Sequence, residues 1–143
     1  FFNHIQVVME IVIKYNKLGG YNTDCDGAIL ALKVKTILKN KNIVLLGAGG
    51  STRALVYGLK EEEVNNITIL NRTVEKSKLI ADDFNCDYGS LEDLKNIDYD
   101  ILINTTSVGM HPNINSSPIP SDLIKKNSII FDIVYNPYKT KII

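Results

Sequence analysis

The stretch GAGGSTRA, from Gly47 to Ala54, decides the fold, because it stands directly between a predicted strand and a predicted helix. The apolar run IVLL at residues 43–46 precedes it. Gly47 permits a tight turn, and Gly49 lets the backbone approach a diphosphate closely. Thr52 stands where the usual fingerprint has its third glycine, so Ala54 is expected to provide the close helix packing. A glycine turn alone is weak evidence, but this context predicts a dinucleotide site at a helix N-terminus.

Outward from this turn, short apolar strands alternate with helices. Strands are predicted at residues 43–46, 67–70, 86–88, 101–103 and 129–134, and helices at 24–38, 52–59 and 74–84, with a helical turn at 91–94. The alternation predicts an α/β fold, a Rossmann-type parallel sheet with helices on both faces. The irregular stretch at residues 110–120 contains three of the four prolines, and a loop of this length is often functional.

The segment before the first helix is predicted separately. The run IQVVMEIVIK at residues 5–14 is typical of a strand buried on both faces, and a turn follows at residues 15–17. Gly19 and Gly20 are then expected to break the chain. The helix from residue 24 would take Thr23 or Asp24 as its N-cap.

Composition excludes several classes of protein. Sixteen basic and sixteen acidic residues cancel, so we expect neither nucleic acid nor a membrane surface as a partner. Cys25 and Cys86 are far apart and fit a reducing cytoplasm, while His4 and His111 lack ligand partners, so no metal site is expected. The apolar run at residues 7–13 is too short to span a bilayer. We therefore expect a cytoplasmic protein.

The end of the second strand of the nucleotide-binding sheet indicates which cofactor binds. Folds that bind NAD place an acid there to hold the ribose 2′-hydroxyl. Here the strand runs into Asn71, Arg72 and Thr73 instead. The guanidinium of Arg72 can bind a 2′-phosphate through two hydrogen bonds, and Lys76 adds a second cation. The sequence therefore predicts NADP, with Asn71 and Thr73 also capping the next helix.

Taken together, five ordered blocks resemble the shikimate dehydrogenase family. They are GYNTD at residues 20–24, GAGGSTRA at 47–54, NRT at 71–73, NTTSVGM at 104–110 and DIVYNP at 132–137. The resemblance covers about residues 17 to 143. It implies NADP-linked reversible reduction of 3-dehydroshikimate to shikimate, a step in the biosynthesis of aromatic amino acids. A small-molecule substrate is therefore the expected partner.

The resemblance also implies roles for individual residues. Asp24 would be a catalytic and substrate-binding carboxylate, and Thr23 and Tyr135 would contact the substrate. The predicted cofactor site comprises Gly47, Gly49, Gly50, Ser51, Asn71, Arg72, Thr73, Lys76, Thr106, Ser107 and Ile133. Plainer interpretations stay open: Asp24 as a helix cap, residues 105–109 as a polar turn, and Tyr135 as an aromatic residue at a strand end.

The family's catalytic lysine belongs to a preceding substrate-binding domain, and none of the lysines here matches it. Residues 1–23 are therefore predicted to be a remnant of that domain and a linker. Residues 24–143 would form the NADP-binding Rossmann domain, incomplete at its C-terminus. This chain is expected to be inactive alone, with a sheet edge at residues 5–13 through which it could form a homo-oligomer.

Two alternatives differ from an enzyme of this family. One is a non-catalytic nucleotide-binding remnant or interaction module of the same fold. The other is a glutamyl-tRNA reductase-like domain with a similar glycine turn, against which the GYNTD block argues.

Overall fold

The structure is a computed structural model that describes residues 9–14, 17–134, 136–137 and 139–143, with side chains from residue 25 onward. In chain order the elements are β1 (Met9–Lys14), β2 (Lys17–Asn22), α1 (Thr23–Lys35), β3 (Asn42–Leu46), α2 (Gly50–Glu61), β4 (Asn66–Leu70), α3 (Val74–Phe84), β5 (Asp87–Gly89), β6 (Ile101–Asn104) and β7 (Ile129–Asp132), with 3-10 turns at Leu91–Asn96 and Ser121–Leu123. Within this described part, no helix has the length and apolar character needed to cross a membrane.

Five strands form one parallel sheet in the order β5-β4-β3-β6-β7, which confirms the predicted α/β Rossmann-type fold. The central strand β3 is buried along Ile43 to Leu46, as expected for a parallel strand covered on both sides. Its side chains alternate between two separate cores because successive residues point to opposite faces.

The two faces of the sheet are covered differently. One core contains residues of α1, α2 and α3, represented by Leu32, Leu59 and Ile80. On the other face, Leu94 of the first 3-10 turn and Tyr99 pack with Ile119 and Ile142. In the described residues, the three α-helices therefore pack on one face, and 3-10 turns and loops cover the other. The expectation of α-helices on both faces is wrong for this part of the chain, because the connections on the second face are too short or too irregular to form them.

The segment before α1 differs from the prediction. β1 and β2 form a separate antiparallel hairpin, with Met9 opposite Asn22 and Lys14 opposite Lys17. The expected break at Gly19 and Gly20 is wrong, because glycine also adopts extended backbone and both residues pair within β2. Residues 5–8 and the predicted turn at 15–16 lie outside the described residues. Self-association through the remaining edge of β1 stays a prediction.

Two helix starts also differ from the sequence-based expectation. α1 begins at Thr23, so Thr23 and Asp24 both lie within the first turn and neither is the N-cap. α2 begins at Gly50, two residues earlier than predicted, because Gly49 has an extended backbone and is itself the N-cap. The glycine turn is therefore shorter than its sequence suggests, and the helix N-terminus lies closer to the end of β3.

Candidate functional site

The predicted cofactor residues after residue 46 all follow the carboxyl ends of parallel strands. The loops after β3, β4, β6 and β7 therefore lie along one edge of the sheet. From the central strand β3, the chain adds β4 and β5 on one side of the sheet and then β6 and β7 on the other side. The strand order therefore reverses between β3 and β6. Open α/β sheets bind ligands in the crevice at such a point. The structure thus brings the glycine turn and the residue 105–107 loop together.

The turn after β3 requires glycine at its first position. Gly47 has φ +114°, and a Cβ built there would lie 2.6 Å from Thr105 Oγ1. Its N–H donates to the Leu70 carbonyl at 2.8 Å, which continues the pairing of β3 with β4. Glycine is therefore required at position 47 for two reasons: the backbone has a positive φ, and Thr105 leaves no room for a side chain.

Beyond this turn, the start of α2 is open. A Cβ built on Gly49 or Gly50 meets no atom within 4 Å, and Ser51 is half-buried. The first turn of α2 contains no acidic residue. The backbone N–H groups of Gly50 and Ser51 are at a helix N-terminus, where no intrahelical acceptor exists for them. Open space, unused donors and the positive end of the helix dipole together suit an anion.

Thr52, at the place of the third glycine, is fully buried, and its hydroxyl oxygen lies 2.7 Å from that of Thr105. The close helix approach occurs elsewhere. A Cβ on Gly58 would lie 2.8 Å from the Sγ of Cys25, whose thiol donates to the Ala54 carbonyl. Gly58, rather than Ala54, is thus the residue that lets α2 approach α1.

Two cations stand after β4. Arg72 and Lys76 are exposed, and within the described residues neither forms an ion pair. Asn71 donates from Nδ2 to the Thr73 carbonyl at 3.0 Å, which shapes the loop. Thr73 is the N-cap of α3 by its backbone, but its hydroxyl makes no capping hydrogen bond in this structure. The predicted cap at Thr73 is therefore present by position, without a side-chain hydrogen bond to the helix.

A buried polar network connects the ends of β6 and β7. Asn104 is fully buried, donates from Nδ2 to Asp132 at 3.0 Å and accepts from both the N–H and the hydroxyl of Thr106. Asp132 also accepts from the Val134 N–H and the Thr140 hydroxyl. Burial raises the pKa of the Asp132 carboxyl, although these hydrogen bonds act in the opposite direction. The network fixes the loop that contains Thr106.

The other predicted residues have less defined places. Ser107 follows Thr106 and is exposed, whereas Ile133 is partly buried against the core and donates its N–H to the Asn104 carbonyl. Thr23 and Asp24 occupy the first turn of α1 by their backbone, and their side chains lie outside the described part. Tyr135 lies outside the described residues altogether. Their predicted roles toward substrate remain predictions.

Sequence reasoning gave no role to the side chains of Thr52, Thr105, Asn104 and Asp132, which build this end of the sheet. A signal was present for three of them. Asn104 and Asp132 are polar residues at the ends of apolar strands, and Thr52 replaces a glycine of the fingerprint.

The sheet order and the glycine turn at its switch point define a Rossmann-type α/β domain. The family model described as Shikimate / quinate 5-dehydrogenase matches residues 29–137. The chain belongs to this family.

Curated relatives and a solved structure agree with this assignment. A shikimate dehydrogenase (NADP(+)) of Caldanaerobacter subterraneus is 40% identical over 95% of this chain and 51% of its own length, and one of Methanococcus maripaludis is 43% identical over 93% and 50%. A crystal structure of shikimate 5-dehydrogenase from Thermus thermophilus, in complex with NADP(H) and shikimate, is 33% identical with a TM-score of 0.74 and covers 89% of this chain and 47% of that one. The chain thus spans about half the length of these relatives.

Proposed function

We propose that this chain is the NADP-binding part of a shikimate dehydrogenase, which catalyses the reversible reduction of 3-dehydroshikimate to shikimate. The observation that carries the proposal is the open space beside Gly49 and Gly50 at the N-terminus of α2, at the switch point of the sheet. Relatives named as NADP(+)-dependent shikimate dehydrogenases support both the cofactor and the substrate. When bound, NADPH supplies a hydride to the substrate carbonyl carbon.

The residues of this chain would bind and orient the cofactor. The N–H groups of Gly50 and Ser51 have no intrahelical acceptor at this helix N-terminus and would donate to the diphosphate. A Cβ at either Gly49 or Gly50 would fill the open space at the start of α2, which explains why two glycines are needed although neither has a positive φ. Thr106 and Ser107, on the other side of the switch point, would contact the nicotinamide end.

Arg72 would select NADP over NAD. Its guanidinium is exposed and has no ion-pair partner in the described part of the chain, so binding a 2′-phosphate would not break an existing contact. Lys76, one helical turn further on, adds a second positive charge, while Glu75 is exposed in the same turn of α3 and reduces the local field. The net charge of these three side chains is positive, which favours a dianionic phosphate over a ribose hydroxyl.

Titration calorimetry of the 143-residue chain with NADP and NAD tests this proposal. We expect tighter binding of NADP, and Arg72→Ala should weaken NADP about 10- to 150-fold, as for a hydrogen bond to a charged group, with little effect on NAD. Lys39→Ala is the matched control, since Lys39 lies before β3 and pairs with Glu63. Equal affinity of the parent chain for NADP and NAD would contradict the cofactor assignment.

The substrate side rests on the resemblance of the GYNTD and DIVYNP blocks. We assign Asp24 as the catalytic carboxylate, with Thr23 and Tyr135 as substrate contacts. We also propose the cytoplasm as the compartment, because Cys25 and Cys86 are far apart in the sequence and fit a reducing environment.

A further inference from the structure

Four groups beneath the glycine turn form a continuous chain of hydrogen bonds. The Gly49 N–H donates to Thr52 Oγ1 at 3.3 Å, and the hydroxyls of Thr52 and Thr105 lie 2.7 Å apart. The Thr105 hydroxyl donates to the Leu46 carbonyl at 2.7 Å. That bond uses the one hydroxyl proton of Thr105, so the proton between the two hydroxyls belongs to Thr52. Every donation therefore runs in one direction, from Gly49 to Leu46.

This hydrogen-bond relay connects both loops of the candidate cofactor site. Gly49 is the N-cap of α2, and Leu46 is the last residue of β3. Thr105 follows β6 directly, and its own N–H also donates to the Leu46 carbonyl at 2.8 Å. The next residue is Thr106, on the loop predicted to contact the nicotinamide. The start of α2 and the loop after β6 are thus held at a fixed distance across the switch point.

We propose that Thr52 and Thr105 are positioning residues that orient the diphosphate-binding N-terminus of α2 relative to the loop after β6; this rests on the proposed NADP-binding function. The N–H groups of Gly50 and Ser51 have no intrahelical acceptor, whereas the Gly49 N–H is already used by the relay. A glycine at position 52 would leave the Gly49 N–H without this acceptor. Thr52 therefore has a role of its own at the place where the usual fingerprint has its third glycine, because its hydroxyl holds the turn in position.

The relay acts by reducing the conformational freedom of the turn before the cofactor binds. When the cofactor binds to a turn that is already ordered, less conformational entropy is lost on binding. Thr52 is fully buried, so a valine of nearly the same shape retains its packing but removes the hydroxyl. Breaking either hydroxyl link interrupts the whole relay, because each hydroxyl both accepts and donates. The two threonines should therefore behave as a coupled pair.

The experiment uses the full chain with T52V, T105V, the double variant, T52S and T105S. Titration calorimetry measures affinity for NADP and for 2′-AMP, which has the 2′-phosphate but no diphosphate. Thr68→Val is the matched control, because Thr68 is a nearly buried threonine in β4. NMR of the cofactor-free chain follows the Thr52 hydroxyl proton, which should exchange slowly enough to be detected.

We expect each valine variant to weaken NADP about fivefold, the size of one neutral hydrogen bond, with 2′-AMP affinity unchanged. The double variant should lose no more than either single variant, and the serine variants and the Thr68 control should bind like the parent. NADP affinity equal to the parent's in both valine variants would overturn the proposal. So would an equal loss of 2′-AMP affinity, or serine variants as weak as the valine variants.

The NMR signal separates this inference from the proposed function. The Thr52 hydroxyl proton should be detected in the parent and lost or rapidly exchanging in T105V. A signal that persists unchanged in T105V overturns the relay, whatever binds. A parent chain that shows the relay but binds no NADP refutes the NADP-binding function and, with it, the positioning role.

Discussion

Gly47 and Gly49 are two residues apart in one turn, yet they are glycines for different reasons. Gly47 has a positive φ, and a side chain there would meet Thr105. Gly49 has φ −107°, which any residue adopts, and open space beside it. The first glycine is therefore required by the fold, whereas we expect the second to leave room for the ligand.

Alanine substitutions separate these two requirements. Gly47→Ala should lower the free energy of unfolding by about 1–3 kcal/mol, because it strains the backbone and displaces Thr105. Gly49→Ala should change stability little, because the lower entropy of the unfolded chain opposes the poorer N-cap that alanine makes. It should reduce NADP affinity, since the new methyl group occupies the diphosphate space. Thermal unfolding and calorimetry of both variants measure the two effects. A Gly47→Ala protein as stable as the parent, or a Gly49→Ala protein with the parent's NADP affinity, would contradict this division of roles.

At the scale of the elements, Asp132 connects β6, β7 and the segment that contains Thr140. Burial raises the pKa of its carboxyl, so the folded chain holds this proton more tightly than the unfolded chain does. The contribution of this group to stability is therefore complete below the ordinary Asp pKa of about 3.9. It is lost as pH rises through the folded pKa. Above the folded pKa, the charged carboxylate therefore favours folding less than the protonated form does.

An amide at this position keeps the hydrogen bonds without the charge. In Asp132→Asn, the side-chain oxygen can accept from Asn104 and Val134, and the NH₂ group can donate to Thr140. We expect Asp132→Asn to equal or exceed the parent in stability at pH 7, with the difference vanishing below about pH 4. Asp132→Ala should be less stable by about 1–3 kcal/mol at both pH values, because buried donors lose their acceptor. Denaturant unfolding of the parent and both variants, at pH 7 and below about pH 4, tests the sign of these differences in stability.

The sequence predicts the elements whose signals are local. α3 has the ends expected from its apolar periodicity, and each strand of the parallel sheet lies within two residues of its prediction. The β1–β2 hairpin was not predictable, because the pattern of β1 fits a buried parallel strand equally well and does not identify its partner. Pairing depends on segments distant in sequence, which propensity alone does not encode.

The candidate site shows the same limit. The glycine turn and Arg72 follow from spacing, since phosphate chemistry needs those residue types at those places. The Thr52–Thr105 contact joins residues 53 positions apart, and the burial of Asn104 depends on the sheet order. Only the folded chain reveals these contacts. The candidate binding residues could therefore be proposed from the sequence, whereas the contacts of the side chains packed beneath them could not.

At the scale of the whole molecule, the chain spans about half the length of its curated relatives, and its described residues contain the features of a nucleotide site. Hydride transfer needs a substrate held in near-attack geometry and a group that exchanges a proton with its oxygen. The family resemblance places the lysine for that proton transfer in a preceding domain, and no lysine here matches it. We therefore expect cofactor binding and proton transfer to fall on different parts of the full-length relatives.

We expect the 143-residue chain to bind NADPH but not to reduce 3-dehydroshikimate, even at saturating cofactor. Asp24 alone cannot hold the substrate against the nicotinamide, and loss of orientation removes several kcal/mol of barrier reduction, about 7 or more in favourable cases. The measurement is NADPH absorbance with purified chain and substrate, and the Caldanaerobacter relative serves as the active control. Substrate-dependent oxidation that scales with the amount of chain and disappears in Asp24→Asn would show that a complete acid–base system exists within these residues. Asn is the informative replacement because it has nearly the shape of Asp but carries no negative charge, so a loss of activity would reflect the carboxylate.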